Sequence, residues 1–233
     1  MSKGSVVVAL TFCLAFSQAL AQKAEPPAAI EYKPPPRGAP VKRISGGTRA
    51  IAEAVAVAPA LTVLAPNHVA LTASEQPALY WYQSVRGAVR MEVSLVDASG
   101  SKPLIETSYT TLEPGIHRVD LKDLNVRLKP DQDYQWSAVL TPAGKQRPSA
   151  IVSQASFRLT EMRSETLASV AARPKDQQAV AYASMGIWHD ALDTLSESIS
   201  ASPDTRELRN MRAALLEQGG LKAAAEFDRN AAR

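Results

Sequence analysis

Between Leu61 and Leu159 apolar residues alternate with polar ones in short runs, and past Thr160 that alternation stops. A period of two belongs to strands half-buried on a core, and a period near 3.6 to helices. The chain therefore has to build sheet first and helix afterwards. Leu79-Tyr80-Trp81-Tyr82 reads as a strand after Pro77. Met91 to Val96 is another, closed by Asp97-Ala98-Ser99-Gly100, and Leu104 to Thr110 a third, closed by Glu113-Pro114-Gly115. Ile116 to Leu121, Tyr134 to Leu140 and Ile151 to Leu159 follow. With Leu61 to Leu64 or Val69 to Thr72 in the lead, about seven short strands separated by turn signals predict an antiparallel sandwich.

Leu128-x-Pro130-x-x-x-Tyr134 resembles the tyrosine corner of fibronectin type III and immunoglobulin-like domains. There a tyrosine hydroxyl bonds back to backbone a few residues upstream and locks the crossover between sheets. Trp136 has the same parity as Tyr134, so both point to one face, with Trp81 as a core partner.

After Thr160 helix formers take over, and a spacing recurs. Ala179, Tyr182, Gly186, Ala191 and Pro203 fit the small-residue and turn positions of a tetratricopeptide unit; thirty-four residues on, Ala213, Leu216, Gly220 and Ala225 fall on the first four. Small residues let two antiparallel helices approach, and glycine opens the turn between them. Fewer than three such units cannot bury a full solenoid face, so this segment has to pack on the sheets or on a partner. The fold class expected is α+β: an immunoglobulin/fibronectin-like sandwich over 61–160, followed by a tetratricopeptide-like helical hairpin within 161–233.

Ahead of both lies a proline-rich stretch, 22–60, whose Pro34-Pro35-Pro36 run favours polyproline II and reads as an extended arm. It contains almost nothing to bury. Residues 1–21 read as a secretory signal: Lys3 in the n-region, an apolar run from Ser5 to Phe16, and Ala19-Leu20-Ala21 before cleavage at Gln22. That run is short of the ~20 apolar residues a membrane anchor needs, so no transmembrane segment is expected after cleavage. Cys13 is the only cysteine and lies inside the run, so the mature chain is expected to rely on its core rather than on disulfides. The expected location is periplasmic or secreted.

The formal net charge is +3, too small for a general polyanion binder, and no nucleic-acid partner is expected. Charge is unevenly placed: six Lys/Arg against two Asp/Glu over 22–49, ten against ten over 50–160, and nine against eleven over 161–233. A basic arm thus precedes a neutral domain and a slightly acidic helical end.

The run Pro34-Pro35-Pro36-Arg37-Gly38-Ala39-Pro40, with Arg43 and Gly46-Gly47-Thr48-Arg49 behind it, resembles the start of a bacterial family known as domain of unknown function 928. Pro77 to Tyr82, Leu128 to Trp136 and Gly186-Ile187-Trp188-His189-Asp190-Ala191-Leu192 resemble its later stretches. The resemblance implies a secreted or periplasmic protein and carries over no catalytic residue. This chain lacks the cysteines that some members have after the Gly-Gly-Thr-Arg stretch.

Candidate interaction residues are Arg37, Gly38, Arg43, Gly46, Gly47, Thr48 and Arg49 of the arm, with Tyr80, Tyr82 and Trp188. The arm can dock on its own sandwich, on a partner groove or on an anionic partner, or serve as a tether. Arg37 and Arg49 suit carboxylate pairing in fork geometry. No strand precedes the glycines and no Gly-x-x-x-x-Gly-Lys-Ser/Thr occurs, so a phosphate loop is disfavoured. Leu79 and Trp81 are expected to face in, leaving Tyr80 and Tyr82 either to stack on sugars or to lie under the helices or the arm. Trp188 is either a packing anchor or an interface hot spot. His68, His117 and His189 lack metal-ligand spacing, Asp131 and Asp133 suit a turn, and no Gly-x-Ser-x-Gly or Ser-x-x-Lys nucleophile occurs. No cofactor is called for. The function expected is a non-enzymatic envelope module that binds another protein, such as an accessory subunit of an envelope or secretion system. The alternatives are a glycan or peptidoglycan binder through aromatics and the basic arm, and a hydrolase assembled from scattered Asp, His and Arg.

Overall fold

The structure is a computed structural model that describes residues 29–35, 44–45, 60–100, 102–111, 113–142 and 150–231. The chain is α+β, with two sheets and, among the described residues, five helices. Strands β1 (Ile44–Ser45), β2 (Leu61–Val63), β3 (Ala70–Thr72), β4 (Ala78–Gln83), β5 (Val89–Asp97), β6 (Pro103–Thr111), β7 (Gly115–Asp120), β8 (Asp133–Pro142) and β9 (Ile151–Leu159) come first. Helices α1 (Ser164–Ala171), α2 (Lys175–Ser184), α3 (Trp188–Ala201), α4 (Arg206–Gln218) and α5 (Lys222–Ala231) follow.

One sheet runs in the order β1-β9-β8-β5-β6, and the other in the order β2-β4-β7. Both alternatives for the leading strand are present, on different sheets: β2 pairs with β4, and β3 joins β9 in parallel. Alternation explains the burial. Val89, Met91, Val93 and Leu95 of β5 point inward while Arg90 and Glu92 face out, and Trp136 lies between Leu95 and Ala155 in register. At the entry to β8 the Tyr134 hydroxyl accepts the backbone N–H of Lys129 at 2.7 Å, five residues upstream.

Strand β4 is the exception to alternation, because all six of its residues are buried. A strand covered on both sides reads as a continuous apolar run. Its far face is roofed by the helices: the Tyr80 hydroxyl bonds Asp193 of α3 at 2.6 Å, and the Tyr82 ring packs on Phe227 of α5 at 5.6 Å. The helical end is thereby fixed to the sheets. Trp188 opens α3, is fully buried, and donates its indole N–H to the Leu64 carbonyl at 2.8 Å. Asp190 accepts from the Thr72 hydroxyl at 2.8 Å and the Ala73 amide at 3.0 Å at the end of β3.

The recurrence seen in sequence is repeated in backbone bonds. Ile187 N–H donates to Tyr182 and Ala191 N–H to Ile187; thirty-four residues on, Leu221 donates to Leu216 and Ala225 to Leu221. The two turns are opened by Gly186 at φ +78° and Gly220 at φ +73°, left-handed values that glycine adopts without a steric penalty. Between α4 and α5 the guanidinium of Arg212 takes both carboxylate oxygens of the fully buried Asp228 at 2.7 Å, and reaches the Ser196 hydroxyl of α3 at 3.0 Å.

Candidate functional site

Arg37, Gly38, Arg43, Gly46, Gly47, Thr48 and Arg49 lie outside the described residues. The first part of the same arm is described, and it is not bare of buried groups. Ile30 and Tyr32 point into the molecule, while Glu31 and Lys33 point out. That alternation is the signature of an extended segment. The strap crosses the C-terminal ends of α2 and α4, whose last residues, Ser184 and Gln218, are thirty-four positions apart.

Helix C-termini leave carbonyls without intrahelical partners, and the strap shares one of them with the Gly186 N–H of the following turn. Lys33 N–H donates to the Ala183 carbonyl at 3.1 Å. At α4 the side chain of Gln218 reads main chain directly. Its Oε1 accepts Tyr32 N–H at 2.7 Å, and its Nε2 donates to the Ile30 carbonyl at 3.0 Å. A second bond from Nε2 to the Ala214 carbonyl, also 3.0 Å, fixes the amide's orientation. One primary amide thus satisfies both main-chain groups on the same edge of an extended peptide, as a neighbouring strand would.

Tyr32 anchors the strap. Its ring meets Trp188 edge-on at 4.9 Å and stacks on His68 at 5.8 Å, and its hydroxyl lies 2.8 Å from His68 Nε2. Burial pushes the Tyr32 phenol well up and the His68 imidazole down, so the pair is neutral. Gly186 is needed for approach as well as for its turn: a Cβ there would stand 2.7 Å from the Lys33 carbonyl oxygen. Beside the strap remains a cavity of about 450 Å³, lined by Tyr32, Pro34, His68, Gln218 and Gly220 among others.

The strap is held by a narrow margin. Burying Ile30 and Tyr32 is worth on the order of 2 kcal/mol each. Four hydrogen bonds add roughly 1 kcal/mol apiece. Fixing the four residues 30–33 costs roughly 4–8 kcal/mol. The balance favours docking by at most a few kcal/mol.

Tyr80, Tyr82 and Trp188, singled out in sequence, are buried within the molecule. The helices cover both tyrosines, so neither ring is open to stack on a sugar. Burial, reinforced by the Asp193 charge, pushes the Tyr80 phenol up and keeps it a donor. Burial also raises the Asp193 carboxyl. Around this bond the Arg118 guanidinium approaches Asp120 at 2.7 Å, Glu197 at 3.5 Å and Asp193 at 3.6 Å, a partly exposed cluster joining β7 to α3.

The three histidines are apart: His68 at the strap, His117 stacked on Trp81 at 5.6 Å, and His189 buried against Phe157 at 5.0 Å. Burial lowers His189 to about 4 and raises its neighbour Asp190 to about 6. Among the described residues no group of three or more His, Cys, Asp or Glu is arranged to hold a metal ion. Sequence reasoning missed Ile30, Tyr32 and Gln218. The Ile30-x-Tyr32 alternation was the available signal, two apolar residues long and hidden among prolines and alanines.

A family model described as Domain of Unknown Function (DUF928) matches residues 44–228. No curated protein matches. Among solved structures, a multi-domain immunophilin from Arabidopsis thaliana is similar at 8% identity over 69% of this chain and 97% of that chain. The TM-score is 0.19, a likeness too slight to bear on the fold.

Proposed function

We propose, from the premise that the chain belongs to the family described as Domain of Unknown Function (DUF928), that it is a non-enzymatic module that binds another protein in the cell envelope. One observation supports this reading above the others: residues 30–33 lie as an extended segment on the helices, held through main-chain bonds to Ala183 and Gln218. Main-chain bonds give affinity with little dependence on sequence, and side-chain pockets add the selection. On the same reading the sheets form an immunoglobulin/fibronectin-like sandwich, a view favoured by the Tyr134–Lys129 bond. The helices are tetratricopeptide-like pairs, favoured by the recurring turn bonds. The signal-like residues 1–21 favour a periplasmic or secreted location, and an accessory role in an envelope or secretion assembly fits that setting.

The test is capture from envelope extract with the full chain as bait. A stoichiometric partner, lost on Arg37→Ala combined with Arg49→Ala or on Gln218→Ala, is the expected result. Recovery of the chain in the cytoplasmic fraction, or capture of nothing above a control, would remove the reading.

A further inference from the structure

We propose that the groove across the ends of α2 and α4 is a binding site for an extended peptide of another protein, with the pattern apolar–x–tyrosine–x–x–proline, and that residues 29–35 fill it in cis until such a peptide displaces them. The inference rests on the protein-binding reading above and names its site and ligand chemistry.

The strap shows what the groove accepts. Gln218 hydrogen-bonds main-chain groups of residues 30 and 32, so any extended peptide offers it the same two groups. The Ala183 carbonyl likewise takes an N–H that every residue except proline carries. Selection falls on the inward side chains: an apolar residue in the place of Ile30, and a tyrosine between Trp188 and His68 whose hydroxyl meets His68 Nε2. Past the fourth position Pro35 packs on the Gly186 turn, where its ring makes contact without donating a bond.

Two features separate a groove from a fixed core element. The segment enters no sheet and forms no helix, so its release breaks no ladder or helix bond of the fold. The site is also larger than its present occupant: the cavity beside Tyr32 runs along Asn67, His68 and the Gly219-Gly220 turn, and a ligand with more side chain than the strap can fill it. A tethered occupant has a high effective concentration, so a free peptide competes poorly until the strap is weakened or the ligand makes the extra contacts.

The experiment uses the full chain with either Tyr32→Ala or Ile30→Asp, each of which weakens the strap alone, and a fluorescent peptide carrying the sequence of residues 29–35. Circular dichroism establishes folding, and anisotropy reads binding. The expected result is saturable binding at least tenfold tighter than to the unmodified chain. That binding is lost on adding Gln218→Ala to the protein or on placing alanine at the peptide's Tyr32 position. The proposal is overturned if both variants fold and neither binds the peptide, or if binding occurs but is indifferent to Gln218→Ala. It is equally overturned if both variants unfold, because the strap would then be core and not a displaceable ligand. Peptide binding without any partner in envelope extract would leave the groove standing and remove the function. A captured partner indifferent to Gln218→Ala would do the reverse.

Discussion

Trp188 packs its six-membered ring directly on Gly219: a Cβ at that glycine would stand 2.4 Å from Cη2 of the indole. The backbone of Gly219 is right-handed, so any cost of a side chain there is steric and not conformational. Retreat of Trp188 is restricted, because its N–H is committed to the Leu64 carbonyl and its ring also packs against Tyr32. Gly219→Ala is expected to cost roughly 1–3 kcal/mol. Thermal melts of the two proteins measure it, and an unchanged midpoint would show that the indole has room to move.

Asp228 is buried and held bidentate by Arg212, with Arg209 3.7 Å away. Asp228→Ala leaves the Arg212 guanidinium buried without its counter-charge. A loss of roughly 3–5 kcal/mol is expected in urea unfolding. Replacing Arg212 and Asp228 together by leucines is expected to cost much less, since the desolvation of both charges disappears with the pair.

His189 and Asp190 are adjacent, and burial shifts both so that their effects on stability oppose each other as pH changes. His189 is lowered from 6.5 to about 4 by burial, so its contribution to stability is present above pH 6.5 and is lost as pH falls through about 4. Asp190 is raised from 3.8 to about 6, chiefly by burial, so its contribution is full below 3.8 and is lost as pH rises through about 6. The two slopes oppose one another between pH 4 and 6. His189→Phe should remove an acid-side loss of about 3 kcal/mol between pH 6.5 and 4. Asp190→Asn should remove the decline toward neutral pH while its side-chain oxygen still accepts from Thr72 and Ala73. Denaturant midpoints at pH 4, 5, 6 and 7 read both, and parallel pH profiles for the parent and His189→Phe would contradict the assignment.

The Tyr134 hydroxyl accepts the Lys129 amide and touches Gln132 at 3.3 Å. Tyr134→Phe keeps the ring on Phe157 and removes that acceptor, so a loss of roughly 1–2 kcal/mol is expected. This bond was legible in sequence, because Leu128-x-Pro130-x-x-x-Tyr134 places donor and acceptor a few residues apart. The strands of the larger sheet were legible for a similar reason, since alternation in β5 and β9 records one buried face directly. The turn glycines Gly186 and Gly220 announced themselves by their spacing.

What stayed hidden depends on residues far apart in the chain. Strand β4 is covered on both faces, and its second cover, Asp193 of α3 and Phe227 of α5, lies more than a hundred residues away. Local sequence left Tyr80 and Tyr82 open as surface candidates for that reason. The strap is more extreme: the donor of its central bond and Gln218 are 186 positions apart. No period within residues 29–35 is long enough to reveal a docked segment.

The most direct measurement is hydrogen exchange at the Tyr32 and Lys33 amides in the unmodified full chain. Both are bonded to the helices, to Gln218 and to the Ala183 carbonyl. They are expected to exchange at least tenfold more slowly than in the free peptide of residues 29–35, and faster than amides of the sheet core such as Trp136. In Gln218→Ala, Tyr32 should approach the free-peptide rate. Exchange of both amides at the free-peptide rate in the unmodified chain would contradict a docked strap, and with it the groove.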